Sequence, residues 1–278
     1  LRRTMMKTHA GRMRLAPIAL ILLAASWGLA FVIMKDSIER QSVNSFLFTR
    51  FLFATLFLIA FRPTFYRKIT KDLFIKAFAA GLVLGAGYIL QTEGLARTGA
   101  AISALFLRKE ISLFTWGCVA LATVGLALLS LRGWSMGSGE FLVLLCAVAF
   151  GAHIVALGQW SAGRDVYAMT TVQLFAVTVL TGGFAFAEGY QAPPDSDVWA
   201  VVIFTAIICT SFGFIVQTWA QAHIDSTKVA VILTLEIVFA ALFAITLGSE
   251  SISIQVALGG IILLIAMYLI VVKEPTND

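Results

Sequence analysis

The chain has 278 residues, of which 60% are hydrophobic and only 13% charged, with a mean hydropathy of +0.93. A soluble domain sits nearer half apolar and a quarter charged; too little polar surface exists here to cover one, so the bilayer must act as solvent. The formal charge of +5 does not point to nucleic acid, because Lys and Arg sit at the ends of apolar runs, where they set orientation.

Arg2, Arg3, Lys7, Arg12 and Arg14 precede an apolar run from Leu15 to Met34. That run is longer than the core of a typical signal peptide, which predicts a retained span over 16–34. Further spans are predicted over 44–61, 74–96, 113–131, 139–159, 166–188, 198–222, 227–247 and 254–272. None shows the two-residue alternation of a β-barrel strand. The expected fold class is all-α and integral to the membrane.

Gly87-Tyr88-Ile89-Leu90-Gln91-Thr92 returns as Gly213-Phe214-Ile215-Val216-Gln217-Thr218, and a Leu-x-x-Glu turn follows each copy, Leu107 to Glu110 and Leu247 to Glu250. Gln91 to Glu110 is 19 residues, whereas Gln217 to Glu250 is 33. The stretch from Thr98-Gly99-Ala100-Ala101 onward begins a counterpart of span 227–247. It reaches only to Leu107, about half a hydrocarbon core. If this remnant crosses, there are ten spans, with 15 Lys and Arg inside, four outside and Arg50 within a helix. If it does not, the split is 11 against 8. The positive-inside rule selects ten spans with helix 4 truncated, and roughly a dozen residues are expected to be missing near Phe106 and Leu107. Five spans per half is an odd number, so the halves, 1–133 and 134–278, form an inverted repeat with a central cavity at their seam.

At these residues the chain resembles the EamA-type members of the drug/metabolite transporter superfamily. The resemblance rests on Trp27-Gly28, on Gln91-Thr92 and Gln217-Thr218 ending their helices, and on Thr98-Gly99-Ala100-Ala101. Leu107-Arg108-Lys109-Glu110 resembles the family's L-x-x-E turn. Thr234-Leu235-Glu236-Ile237-Val238-Phe239-Ala240-Ala241-Leu242-Phe243 resembles its E-P-x-F-A-A-L helix. It extends from about residue 16 to 272 and implies ten helices in two five-helix repeats, and a secondary transporter rather than an enzyme. Within the family the look is closest to bacterial exporters of amino acids, including aromatic ones, in the inner membrane with both termini cytoplasmic. Ile237 stands where the family commonly has Pro, which predicts a straighter ninth helix. The truncated helix 4 removes residues that help line the family's cavity.

Intramembrane ionisable groups are costly and point to function. Glu236 is a candidate to bind a substrate ammonium or carry a coupling proton; the other role is a hydrogen-bonded helix tie. His153 either lines the cavity or is packed and satisfied. Tyr88 and Gln91 share a helix face with Gly81 and Gly85, which permits close helix contact. Gln217 and Trp219 are their counterparts, though residues two apart do not share a face. Trp27, deep in its helix, completes the cavity set; Trp residues near span ends read as interfacial anchors. Arg50 and Glu93 read as groups near the membrane edge, snorkelling or structurally paired. Glu110 and Glu250 read as caps of the following helices. Cys118, Cys146 and Cys209 lie singly in apolar runs, so neither a disulfide nor a metal site is expected. No hydrolase triad or phosphate loop is present, and no cofactor is expected. The expected partners are a small-molecule substrate, amino acids foremost, the lipid bilayer and, for coupled export, protons. Lipophilic cations, drugs or nucleotide sugars are the alternative cargo, and a membrane-embedded enzyme is a remote alternative.

Overall fold

The computed structural model describes residues 2–95, 138–248 and 254–273, with residues 117, 120, 121 and 124 between them. Among the described residues all regular structure is helical. The helices are α1 (Arg2–Arg40), α2 (Val43–Phe61), α3 (Lys71–Leu95), α4 (Ser138–Trp160) and α5 (Val166–Ala187). They are followed by α6 (Ser196–Phe204), α7 (Gly213–Gln221), α8 (Ser226–Leu233), α9 (Leu235–Gly248) and α10 (Ile254–Lys273). A π-helical segment, Thr205–Phe212, joins α6 to α7 into one continuous rod. The expected fourth span, most of the expected fifth, the Leu107–Glu110 turn, Glu250, the Glu93 side chain and the 133/134 boundary lie outside the described residues.

Polar residues stop the helices where the sequence places breaks. Ser42 caps α2 by accepting from the Ser45 amide. Pro63 disfavours helix at Arg62 before it, and a 3-10 turn, Pro63–Lys68, follows. Asp165, Asp195 and Asp225 each accept backbone amide bonds at the starts of α5, α6 and α8, satisfying donors that have no intrahelical partner. Gly163 and Gly189, with φ of 73° and 85°, take left-handed turns on either side of α5 that a side chain would strain. The ninth span is interrupted at one residue between α8 and α9. It breaks at Thr234, whose hydroxyl donates to the Val231 carbonyl at 2.6 Å, and the Ile237 amide tightens to Thr234 O.

Among the described residues, six helical stretches are long and apolar enough to cross a bilayer: Leu15–Arg40, Val43–Phe61, Lys71–Gln91, Val166–Ala187, Ser196–Gln221 and Ser226–Leu247. Their outward faces carry Leu22, Leu56, Phe184 and Leu242, all exposed, as lipid contact allows. Polar side chains point inward instead: Thr170, Thr181, Thr205 and Thr210 are fully buried and bond back to carbonyls or across helices, the polar glue of membrane bundles.

Helix pairing follows a two-fold rule. The third span (α3) packs on the sixth (α4) and seventh (α5). The eighth, through α7 and the π segment, packs on the first (α1) and second (α2). Adding five to one set of span numbers, or subtracting five from the other, exchanges the two sets. The second and seventh spans pair with each other, as helices facing each other across the axis must. The largest apolar cluster lies there: Phe51 and Leu58 of α2, Leu84 and Tyr88 of α3, Leu174 of α5 and Phe214 of α7.

Loop contacts obey the same symmetry. At one end of the bundle, Arg40 pairs with Asp195, and Asn44 Nδ2 donates to Glu188 at 2.7 Å. At the other end, Arg164 donates to Asp72 at 2.7 Å and Arg62 meets Asp165 at 3.4 Å. Tyr167 closes that second clasp, its hydroxyl donating to the Leu58 carbonyl at 2.6 Å.

Candidate functional site

A π-helix widens the backbone spiral and takes carbonyls out of the α ladder. In the Thr205–Phe212 segment one such group, the Cys209 carbonyl, accepts the indole Nε1–H of Trp27 at 2.7 Å. The Ser211 hydroxyl donates to Ala206 O, five residues back, at 2.9 Å. Gly28 brings α1 within reach of α9: a Cβ there would lie 2.7 Å from the Ala240 amide nitrogen and the Glu236 carbonyl oxygen. The Trp27-Gly28 pair thus joins the π segment on one side to the start of α9 on the other.

Arg50 corrects a sequence expectation. It is no edge residue: it sits near the middle of α2 and is 2% exposed. Its Nε donates to the Thr210 hydroxyl at 2.7 Å, and Nη1 lies 3.4 Å from Met34 Sδ. The guanidinium carbon is 5.4 Å from the Tyr88 ring centroid and 5.6 Å from that of Phe51, within cation–π range. Its position eight residues into a 19-residue span was the available signal, because a charge that far from either end cannot snorkel easily.

Tyr88 is buried, its ring edge-on to Phe51 at 5.0 Å, Phe150 at 5.4 Å and Phe214 at 6.2 Å. Gly81 and Gly85 let α3 approach the α5 backbone near Gln173 and Val177, which seats Tyr88 in the central cluster. Glu236 occupies the first turn of α9. It is surrounded by helices yet keeps partly accessible surface. No hydrogen bond or ion pair joins its carboxylate to a described residue.

The remaining candidates divide. Gln217 is 2% exposed, three residues beyond Phe214, and its Oε1 has no partner among the described residues. Gln91 is half-buried one turn past Tyr88. His153 is packed and satisfied: it is 1% exposed, bonds Gln173 Oε1 through Nε2 at 2.9 Å, and its ring lies edge-on to Phe214 at 6.2 Å. Trp219 points away from Tyr88, packing on His223 at 5.2 Å and on the α1–α8 cluster. Trp27 and Tyr88 thus both pack on Phe214, with Arg50 against the Tyr88 ring.

No group of three metal-ligating side chains occurs among the described residues. A polar cleft of about 660 Å³ lies elsewhere, between Thr70, Asp72, Arg164 and Asp165. Its carboxylates are already engaged by Lys76, Arg164 and Arg62.

The EamA-like transporter family matches this sequence over residues 14–105 and 137–272, most of its length in two segments. The chain belongs to that family. This EamA-like chain is 28% identical over 271 residues to an uncharacterized transporter of Archaeoglobus fulgidus, covering 92% of this chain and 85% of that protein. It is 24% identical over 285 residues to a second uncharacterized transporter of Archaeoglobus fulgidus, covering 92% and 97%. A crystal structure superposes with a TM-score of 0.69 over 93% of this chain and 99% of that one, at 13% identity, a likeness of fold. Membership makes the protein a multi-pass membrane transporter with the two-repeat helical fold, not an enzyme.

Proposed function

We propose that this EamA-like transporter is a secondary exporter of small amphipathic metabolites, foremost amino acids including aromatic ones. It works by alternating access around a cavity between repeats 1–133 and 134–278, in a bacterial inner membrane with both termini cytoplasmic. One observation supports the reading: Gly28, next to Trp27, seats α1 against the Glu236 backbone, and Trp27 and Tyr88 of the first half both pack on Phe214 of the second. A carboxylate inside a membrane is costly unless it has a partner or a task, and Glu236 makes no hydrogen bond to a described residue. The Trp27, Tyr88 and Phe214 rings supply apolar walls for a side chain. Rocking of helices around such a midplane site exposes it to each face in turn. Cargo moves down its own gradient or exchanges with protons carried by Glu236.

Radiolabelled amino-acid counterflow in proteoliposomes, competed with amino acids, nucleotide sugars and cationic drugs, tests this. Saturable exchange competed mainly by amino acids is the expected result. Flux sensitive only to lipophilic cations would replace the cargo and keep the site, because an unpaired carboxylate and aromatic rings also suit a cation. Nucleotide sugars would need several basic groups, and among the described residues Arg50 is the only buried Arg or Lys.

A further inference from the structure

The segment from Arg62 to Lys76 and the turn between α4 and α5 crowd positive charge at one end of the bundle. Six cations there, Arg62, Arg67, Lys68, Lys71, Lys76 and Arg164, accompany two carboxylates, Asp72 and Asp165, a net charge of +4. Three of the six are committed: Arg62 to Asp165, and Lys76 and Arg164 to Asp72. Arg67, Lys68 and Lys71 are exposed and have no acidic partner among the described residues.

Their placement is fixed by packing beneath them. Phe65 and Ile69 pack inward on the cluster around Leu73 and Ala77, and the Phe65 ring lies 6.5 Å from that of Tyr167. The 3-10 turn therefore holds Tyr66, Arg67 and Lys68 outward, with the Arg67 guanidinium 5.8 Å from the Tyr66 ring centroid. Phe74 and Ile75, three and four residues after Lys71, share its helix face and are exposed, as is Phe61 beside Arg62. Exposed apolar surface belongs among acyl chains, so cations bordering it sit at the level of the lipid phosphates. The 660 Å³ polar cleft opens at the same place, with Lys68 and Thr70 from one loop and Gly163 and Arg164 from the other. A Cβ on Gly163 would meet nothing within 4 Å, so that wall is open. The Thr70 hydroxyl accepts from the Leu73 amide at 3.1 Å, which leaves its O–H to donate.

We infer that this cleft binds the headgroup of an anionic phospholipid, with Lys68 and Thr70 donating to its phosphate and Arg67 and Lys71 flanking it. A basic group near the membrane surface gains from anionic lipid, whereas a zwitterionic headgroup has no net charge to set against the +4. The inference concerns the lipid and not the cargo, so it stands or falls independently of the exporter reading.

Native mass spectrometry of the full chain in dodecyl maltoside micelles tests this, with phosphatidylglycerol and phosphatidylcholine of the same acyl chains titrated in parallel. Phosphatidylglycerol is expected to bind about tenfold or more tighter, since each of three free cations contributes a few-fold. Arg67→Gln/Lys68→Gln/Lys71→Gln abolishes that preference. Arg2→Gln/Arg3→Gln/Lys7→Gln removes the same charge from the start of α1, which the short α1–α2 turn brings to the same end, and keeps the preference. Inorganic phosphate at equal concentration leaves the lipid bound, because it has no acyl chains to lie against Phe74 and Ile75. Equal binding of both lipids by the unmodified protein overturns the inference without any variant. Equal loss of preference in the two triple variants also overturns it, since overall charge would then be the cause. Displacement by inorganic phosphate would assign the cleft to a soluble anion and overturn it as well.

Discussion

The indole of Trp27 and the imidazole of His153 occupy similar depths in their helices and do different work. Trp27 ties α1 to a carbonyl that the π segment releases. Trp27→Phe keeps the ring packing on Phe214 and removes that bond. The expected loss is about 1–3 kcal/mol, read as a lower thermal midpoint in detergent; an unchanged midpoint would mean Cys209 O finds another donor. His153 serves Gln173. His153→Leu orphans a buried amide oxygen and costs a similar amount, whereas His153→Gln retains a donor and keeps both midpoint and counterflow near those of the unmodified protein. If His153→Gln folds normally but stops counterflow, the imidazole takes part in transport and its packing role is secondary.

Among the elements, α1 approaches the α9 backbone closely at Gly28. Gly28→Val forces a side chain against the α9 backbone. Overpacking of this kind costs about 1–3 kcal/mol, so the variant should lose its monodisperse gel-filtration peak at a lower temperature than the parent. The two polar clasps at the ends of the α2–α5 pair are weaker. Arg62 and Asp165 retain 41% and 22% side-chain exposure, and pairs so exposed contribute about 0–1 kcal/mol. Both clasps are engaged at once, whereas alternating gates would close one at a time. The α2–α5 pair is thus expected to serve as a scaffold during transport. A disulfide between cysteines introduced at Gln41 and Gln191 is expected to leave counterflow intact; arrest on oxidation would make that clasp a gate.

For the whole molecule, the clasps settle which loops share a face. The α1–α2 and α5–α6 loops meet at one end, the α2–α3 and α4–α5 loops at the other. Leu95 and Ser138 then end and begin antiparallel helices at the same face, the parity that a ten-span count requires. Single cysteines at Asp36 and Gln191, with Cys118, Cys146 and Cys209 replaced by Ala, should react with an impermeant maleimide from one side of the membrane. Cysteines at Thr64 and Ala162 should react only from the other, the cytoplasmic side by the positive-inside rule. Labelling of Asp36→Cys and Ala162→Cys from the same side would break the topology.

The sequence by itself determined the membrane setting, the helices and their ends, and the duplication, because hydropathy, capping residues and motif order act over neighbouring residues. It also singled out Trp27, Tyr88 and Glu236 as candidates, since intramembrane aromatic and acidic groups stand out against an apolar run. What only tertiary structure decided was which side chains face one another. The π segment carries no signal in its composition, yet it turns Thr210 and the Cys209 carbonyl toward Arg50 and Trp27. Gln173, twenty residues from His153 along the chain, satisfies the imidazole. Arg50 looked like an edge residue until α2, α3 and the π segment closed around it, because burial is a property of the packed bundle and not of the span that carries the charge.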